Sequence, residues 1–207
     1  IARELARLAP DLVVVLGDRY EILAAAQAAF LLGLPIAHIH GGETTEGAMD
    51  DSIRHAITKL SHLHFPAAAP YARRIVQMGE APARVFTVGA LGVDAARALE
   101  PIPADDLDRD TGLALRDPVW LVTYHPVTLR EGGDGVAVDA LLAALDKFDD
   151  ARIVITGVNA DPGRAAVAER LTAYVAKRAA RVTLHESLGQ RRYLSVMRRA
   201  AAVVGNS

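Results

Sequence analysis

Carboxylates, histidines and arginines recur in this sequence directly after short aliphatic runs, where side chains of a parallel sheet reach a ligand. Asp18 and Arg19 follow the run at 12–16 and offer a carboxylate for proton transfer beside a guanidinium suited to phosphate. A salt bridge or a helix cap is the competing account. His40, Gly41, Gly42 and Glu43 end the next run. The two glycines let backbone approach a ligand closely, and Glu43 sets a carboxylate beside them. Asp50 and Asp51 open a helical stretch that either could cap. Asp51 and His55, four apart, share a helix face with Arg54 next to it, so a carboxylate, an imidazole and a cation crowd one helix start, as a site or as a surface ion cluster. His125 stands before Pro126, which fixes the backbone at a strand end, and is expected to face a second unit of the chain. Asn159 and Asp161 follow another strand, either as ligand groups or as an Asx turn before Pro162. His62 and His64 flank Leu63 without a third ligand, which favours packing or solvent contact over a metal site.

The elements that must hold these groups alternate. Strands are predicted at 12–16, 36–40, 63–65 and 85–88, with helices at 20–32, 51–60, 70–78 and 92–99 between and after them. Such alternation implies parallel strands joined by crossover helices on both faces of a sheet. Pro101, Pro103, Pro118 and an acidic run from Asp105 to Asp110 interrupt it, so a linker is expected at 101–117. Strands near 120–124, 152–156, 182–185 and 202–204, with helices near 136–148, 163–177 and 190–199, then form a second unit at 118–207, after a first at 1–100. The first residue is not methionine, and the last three, Gly205-Asn206-Ser207, directly follow a strand, so both ends are expected to be cut.

Composition bounds the function. The 207 residues are 51% hydrophobic but only 5% aromatic, which suits helices packed on an aliphatic sheet. A net charge of −2 supplies no long-range attraction for nucleic acid or an anionic membrane. With no cysteine, disulfides, thiolate metal sites and thiol nucleophiles are excluded, which fits a cytoplasmic protein. The apolar stretch 22–34 is too short to span a bilayer. Neither GxGxxG nor GxxxxGK[ST] occurs, leaving little case for a dinucleotide or a P-loop.

Taken together, Gly17-Asp18-Arg19, the segment His38-Ile39-His40-Gly41-Gly42-Glu43, the segment from Asp50 to Lys59 and Thr123-Tyr124-His125-Pro126 resemble the hydrolysing UDP-N-acetylglucosamine 2-epimerases of sialic-acid-type pathways. The resemblance runs through essentially the whole chain, including Val88-Gly89-Ala90 and the terminal Gly205-Asn206-Ser207. It implies an α/β protein with two Rossmann-like doubly wound domains in the glycosyltransferase-B-like arrangement, both incomplete here, with UDP on the C-terminal domain and the sugar in the cleft. It further implies loss of the C2 proton and of UDP to give 2-acetamidoglucal, then hydration to N-acetylmannosamine, with no nicotinamide and no metal. By that resemblance Asp18, Glu43, Asp50 and Asp51 take the positions of the acid/base carboxylates. His125 resembles the histidine near the leaving diphosphate or sugar, Arg19 a diphosphate contact, and Ser207 the first hydroxyl of a phosphate-gripping loop. Arg54 is expected to orient the carboxylates, and His40 and Asn159 to contact substrate.

Two departures stand out. Gly157-Val158 occupies a place where relatives often carry Tyr-Pro, and the first strand-loop-helix with its arginine is missing, so the chain as it stands is expected to lack a full site. The same chemistry on a UDP-2,4-diacetamido-6-deoxy sugar, a glycosyltransferase of the same architecture, and a non-catalytic nucleotide-sugar-binding module remain as alternatives. A homo-oligomer, dimer or tetramer, is implied by the family.

Overall fold

The computed structural model describes residues 1–46, 48–116, 118–125, 135–158 and 164–205. Its contacts divide the chain into two compact units, Ile1–Arg97 and Ala98–Ser207, each built on its own parallel sheet.

In the first unit the strands β1 (Val13–Leu16), β2 (Ile36–Ile39) and β3 (Leu63–Phe65) lie side by side in chain order, all parallel. Parallel neighbours need a crossover. Helix α2 (Tyr20–Leu31) supplies the first and α3 (Met49–Leu60) the second, after the short α1 (Ala2–Leu8). Ala26 and Ala29 of α2 are fully buried, and their small side chains bring the helix close to Val15 and Ile36; Ile57 of α3 joins the same cluster. Helices α4 (Ala69–Gln77) and α5 (Leu91–Ala98) complete the unit.

The strand predicted at 85–88 is reduced to a single bridge between Val85 and His64. The chain still runs beside β3, with Phe86 N donating to His64 O at 2.8 Å and Val88 N to Pro66 O at 3.1 Å. Pro66 has no N–H to return the intervening bond, so the ladder stops.

The second unit has four parallel strands in the order β6-β5-β4-β7, namely β4 (Val119–Thr123), β5 (Arg152–Thr156), β6 (Val182–His185) and β7 (Ala202–Gly205). Alternate residues serve opposite faces, as the two-residue period of a strand demands. Val122, Ile153 and Ile155 pack with α7 (Gly135–Leu145) and α8 (Arg164–Ala176), while Leu121 and Val154 pack with α6 (Ala104–Thr111) and α9 (Gly189–Arg199). Both faces are covered, which is why these strands read as continuous aliphatic runs.

The segment expected as a linker belongs to this core. Pro103 is the N-cap residue of α6, where a proline interrupts no helical hydrogen bond, and Gly112 ends the helix in the left-handed conformation. Leu107, Leu113 and Leu115 are buried against Leu121 and Val196. In the acidic run expected to break the alternation, Asp105, Asp106 and Asp110 lie on the outer side of an amphipathic helix, and Asp108 accepts from Leu115 N at 3.0 Å. Among the described residues no helix is long and apolar enough to cross a membrane.

Candidate functional site

The first unit collects polar groups at the carboxyl ends of β1 and β2 and at the start of α3. Arg54 is the centre of the collection. Its side chain is only 5% exposed, so it requires anionic partners, and it donates to the Asp18 carboxylate and, at 2.9 Å, to the Thr45 hydroxyl. Asp51 stands 3.8 Å from both Arg54 and His55, as the helical spacing predicted. Asp51 also accepts from Thr45 N at 2.9 Å, which ties the loop after Glu43 to the helix.

Asp50 and Asp51 do not cap α3. The cap position falls on Ala48, and no side-chain cap bond forms; the two aspartates lie in the first turn, where their charge still meets the positive end of the helix. Asp18 was open to three readings, and its ion pair with Arg54 realises the salt bridge while keeping the carboxylate at the strand end.

Glu43 accepts a hydrogen bond from His40 Nδ1 at 2.7 Å. His40 adopts a positive φ of 64°, unusual for a residue with a Cβ, in a turn continued by Gly41 and Gly42. Gly42 carries φ 79°, and a Cβ there would meet the Tyr71 carbonyl and Ile75. Arg74 donates to the Gly42 carbonyl. The loop bearing Glu43 is therefore pressed onto α4 and held there.

Arg19 lies exposed beside Asp18, paired with Glu21 at 3.3 Å and over the Tyr20 ring at 5.6 Å. His62 and His64 do not act alike. His62 Nδ1 accepts from Ile36 N at 3.2 Å, whereas His64 is buried against Glu80 at 3.2 Å, and burial lowers its pKa despite that carboxylate. Among the described residues no group of three or more His, Cys, Asp or Glu side chains could hold a metal ion.

In the second unit the strand ends frame a cavity of about 380 Å³ lined by Thr123, His125, Thr156, Gly157, Glu186 and Tyr193, among others. The hydroxyls of Thr123 and Thr156 meet at 2.6 Å across β4 and β5, and Tyr193 from α9 reaches Thr123 at 3.4 Å. Gly157 packs directly on the backbone of Glu186, where a Cβ would approach its carbonyl to 2.7 Å. That contact accounts for a glycine at 157. Asn159, Asp161 and Ser207 lie outside the described residues.

The structure thus groups Asp18, Asp51 and Arg54 in one network and pairs His40 with Glu43 in the first unit, and places His125 on the cavity of the second. Thr45, Thr156, Glu186 and Tyr193 were not anticipated. Thr45 and Thr156 could have been found as polar residues near strand ends; Tyr193 gave no local signal, because it lies on a helix 70 positions after the residue it touches.

Comparison with known proteins gives this arrangement a context. A "GDP/UDP-N,N'-diacetylbacillosamine 2-epimerase (hydrolyzing)" of Campylobacter jejuni is 40% identical over 200 residues, covering 97% of this chain and 52% of that protein. A "UDP-N,N'-diacetylbacillosamine 2-epimerase (hydrolyzing)" of Legionella pneumophila is 32% identical over 198 residues, covering 96% of this chain and 52% of that protein. The chain spans about half the length of these curated relatives. The crystal structure of UDP-GlcNAc 2-epimerase from Neisseria meningitidis bound to UDP-GlcNAc superposes with a TM-score of 0.77 at 20% identity, covering 100% of this chain and 57% of that one, and shares the glycosyltransferase-B-like α/β fold. The family described as UDP-N-acetylglucosamine 2-epimerase matches residues 1–207, and the chain belongs to that family.

Proposed function

We propose that this protein is a hydrolysing 2-epimerase of UDP-linked 2-acetamido sugars. The observation that carries the reading is the network of Asp18 and Asp51 on the buried Arg54 together with the Glu43–His40 pair, on segments that follow the carboxyl ends of the neighbouring strands β1 and β2. Removal of a sugar C2 proton needs a positioned base, and return of a proton to the opposite face needs a second group. Glu43 with His40 and Asp18 with Arg54 make two such centres, and Asp50 stands in the same first turn as Asp51. The C2–H electrons form the C1–C2 double bond of the glycal as the C1–O bond to UDP breaks. Water then adds at C1 while C2 takes a proton on the other face. Nη1 of Arg54 is buried without a hydrogen-bond partner among the described residues, and an oxygen of the bound anion would satisfy it.

The cavity beside His125, Thr123 and Tyr193 has a volume suited to part of a nucleotide, and we assign it to UDP. Between substrates, the names of the Campylobacter and Legionella relatives favour a UDP-2,4-diacetamido-6-deoxy sugar over UDP-N-acetylglucosamine. The test is incubation of the intact protein with each sugar nucleotide in deuterium oxide, followed by NMR. Free 2-epimer deuterated at C2, together with UDP, is expected. A UDP-linked epimer would contradict hydrolysis, and two unchanged substrates would remove the epimerase reading and leave a transferase or a binding module. Asp18→Asn and Glu43→Gln should each lower kcat by about 10²- to 10⁴-fold in protein that circular dichroism shows to be folded.

A further inference from the structure

Three segments carry the candidate groups of the first unit, and all three meet one buried ring. His38 sits in the middle strand β2, fully enclosed. Its Nε2 lies 2.8 Å from the carbonyl oxygen of Gly17, the residue before Asp18. A carbonyl only accepts, so Nε2 carries the proton and Nδ1 is left as an acceptor. Nδ1 faces the Thr58 hydroxyl at 3.2 Å, and the single proton of that hydroxyl is shared between Nδ1 and the Arg54 carbonyl, 3.0 Å away and one helical turn earlier. Gly41, two residues before Glu43, lies flat against the same ring. A Cβ there would come within 2.9 Å of Nδ1 and 3.0 Å of the Thr58 hydroxyl.

We infer that His38 is a positioning residue that sets the Asp18, Glu43 and Arg54 segments against one another for proton transfer, an inference that rests on the epimerase reading above. The ring bonds the Gly17 carbonyl and the Thr58 hydroxyl, and acts on the candidate carboxylates through those contacts. An imidazole suits the place because it fills an aliphatic core while offering one donor and one acceptor on opposite edges. A hydrocarbon of similar size would leave the Gly17 carbonyl without this donor, with the bond from Gly17 N to Ile39 O still holding the turn before Asp18 on one side only. Burial holds the ring's pKa down at about 4; the Gly17 bond opposes the shift, His64 and Arg54 reinforce it, and Asp18 opposes it. His38 is therefore neutral and in one tautomer at neutral pH, as a fixed spacer must be.

Two substitutions separate the contacts. His38→Gln keeps an N–H near the Nε2 position, whereas His38→Asn places its amide near Nδ1 and loses the donor to Gly17. On the sugar nucleotide that the unaltered protein turns over, His38→Asn is expected to lower kcat by between about tenfold and a hundredfold, the cost of a sub-ångström to ångström displacement of reacting groups, with KM within about threefold. His38→Gln should recover kcat to within about threefold and leave the pH–rate profile above pH 5 unchanged in shape. Thermal melts by circular dichroism identify any variant that fails to fold, and the folded one of the pair then decides. A folded His38→Asn protein with unaltered kcat would overturn the proposal. So would a His38→Gln protein as inactive as the Asn variant with one limb of the pH profile gone, because His38 would then carry the proton itself. If the unaltered protein turns over neither sugar, the epimerase reading fails by that result, and ¹⁵N NMR of the histidines decides the placement of His38 without turnover. A neutral Nε2–H tautomer protected from exchange supports the tether, and an Nδ1–H or cationic ring at pH 7 refutes it.

Discussion

Lowering the pH from 7 to 5 is expected to weaken the first unit by about 2 kcal/mol through His38 alone. In the unfolded chain its imidazole takes up a proton near 6.5; in the folded state burial depresses that value to about 4. Between those two values the unfolded state binds more protons, so stability rises with pH. The contribution is complete above about 6.5 and is lost as the pH falls towards 4, reaching a total of about 3 kcal/mol, each pKa unit being worth about 1.4 kcal/mol. By pH 5 somewhat more than half of it is gone. His64, paired with His38 across β2 and β3, is also depressed by burial and adds in the same direction, while Glu80 beside it works against the shift. Urea unfolding at pH 7, 6 and 5 measures the effect if each unit is followed separately. Hydrogen exchange of the peptide covering 36–39 reports the first unit, and fluorescence of Trp120, the single tryptophan, reports the second. His38→Gln should remove most of the slope at little cost to stability at pH 7. A pH dependence that is equal in the two units, or unchanged by His38→Gln, would refute the assignment to this ring.

Arg54→Met leaves Asp18 without its cation in a site where a quarter of that carboxylate's side chain remains exposed, so the lower end of the range for breaking a buried pair applies, about 3 kcal/mol. A denaturation midpoint equal to that of the unaltered protein would show that the pair contributes nothing. Gly42→Ala should destabilise by about 2 kcal/mol or more, from left-handed strain and from collision with the Tyr71 carbonyl and Ile75. Gly33→Ala shares the positive φ but meets open space and should cost only about 1–2 kcal/mol. Equal losses at the two glycines in thermal melts would dismiss the packing argument.

Much of the first sheet was legible because aliphatic runs bounded by Gly, Pro and Asp leave few alternatives to a strand. The predicted runs at 12–16 and 36–40 became β1 and β2 with one residue lost at one end of each, and the run at 63–65 became β3 unchanged. The segment 101–117 misled because prolines and an acidic run are read as a break in the alternation, whereas Pro103 at a helix start and aspartates away from Leu107 and Thr111 are compatible with a core helix. Whether Leu107 meets a core depends on Val196, far along the chain, and no local pattern contains that. The ladder lost at 85–88 turned on Pro66, a residue of the neighbouring segment.

Within the site the same division holds. The helical period was enough to bring Asp51, Arg54 and His55 together, because residues three and four apart on a helix are neighbours whatever surrounds them. Chain order likewise determined that Asp18 and Glu43 follow strands. Only the tertiary structure decided that Asp18 is Arg54's partner, that Thr45 bridges the Glu43 loop to α3, and that His38 lies beneath all three segments. Those contacts join residues brought near by sheet order and crossover packing, and a pairing energy of this kind exists only once the core has placed both partners.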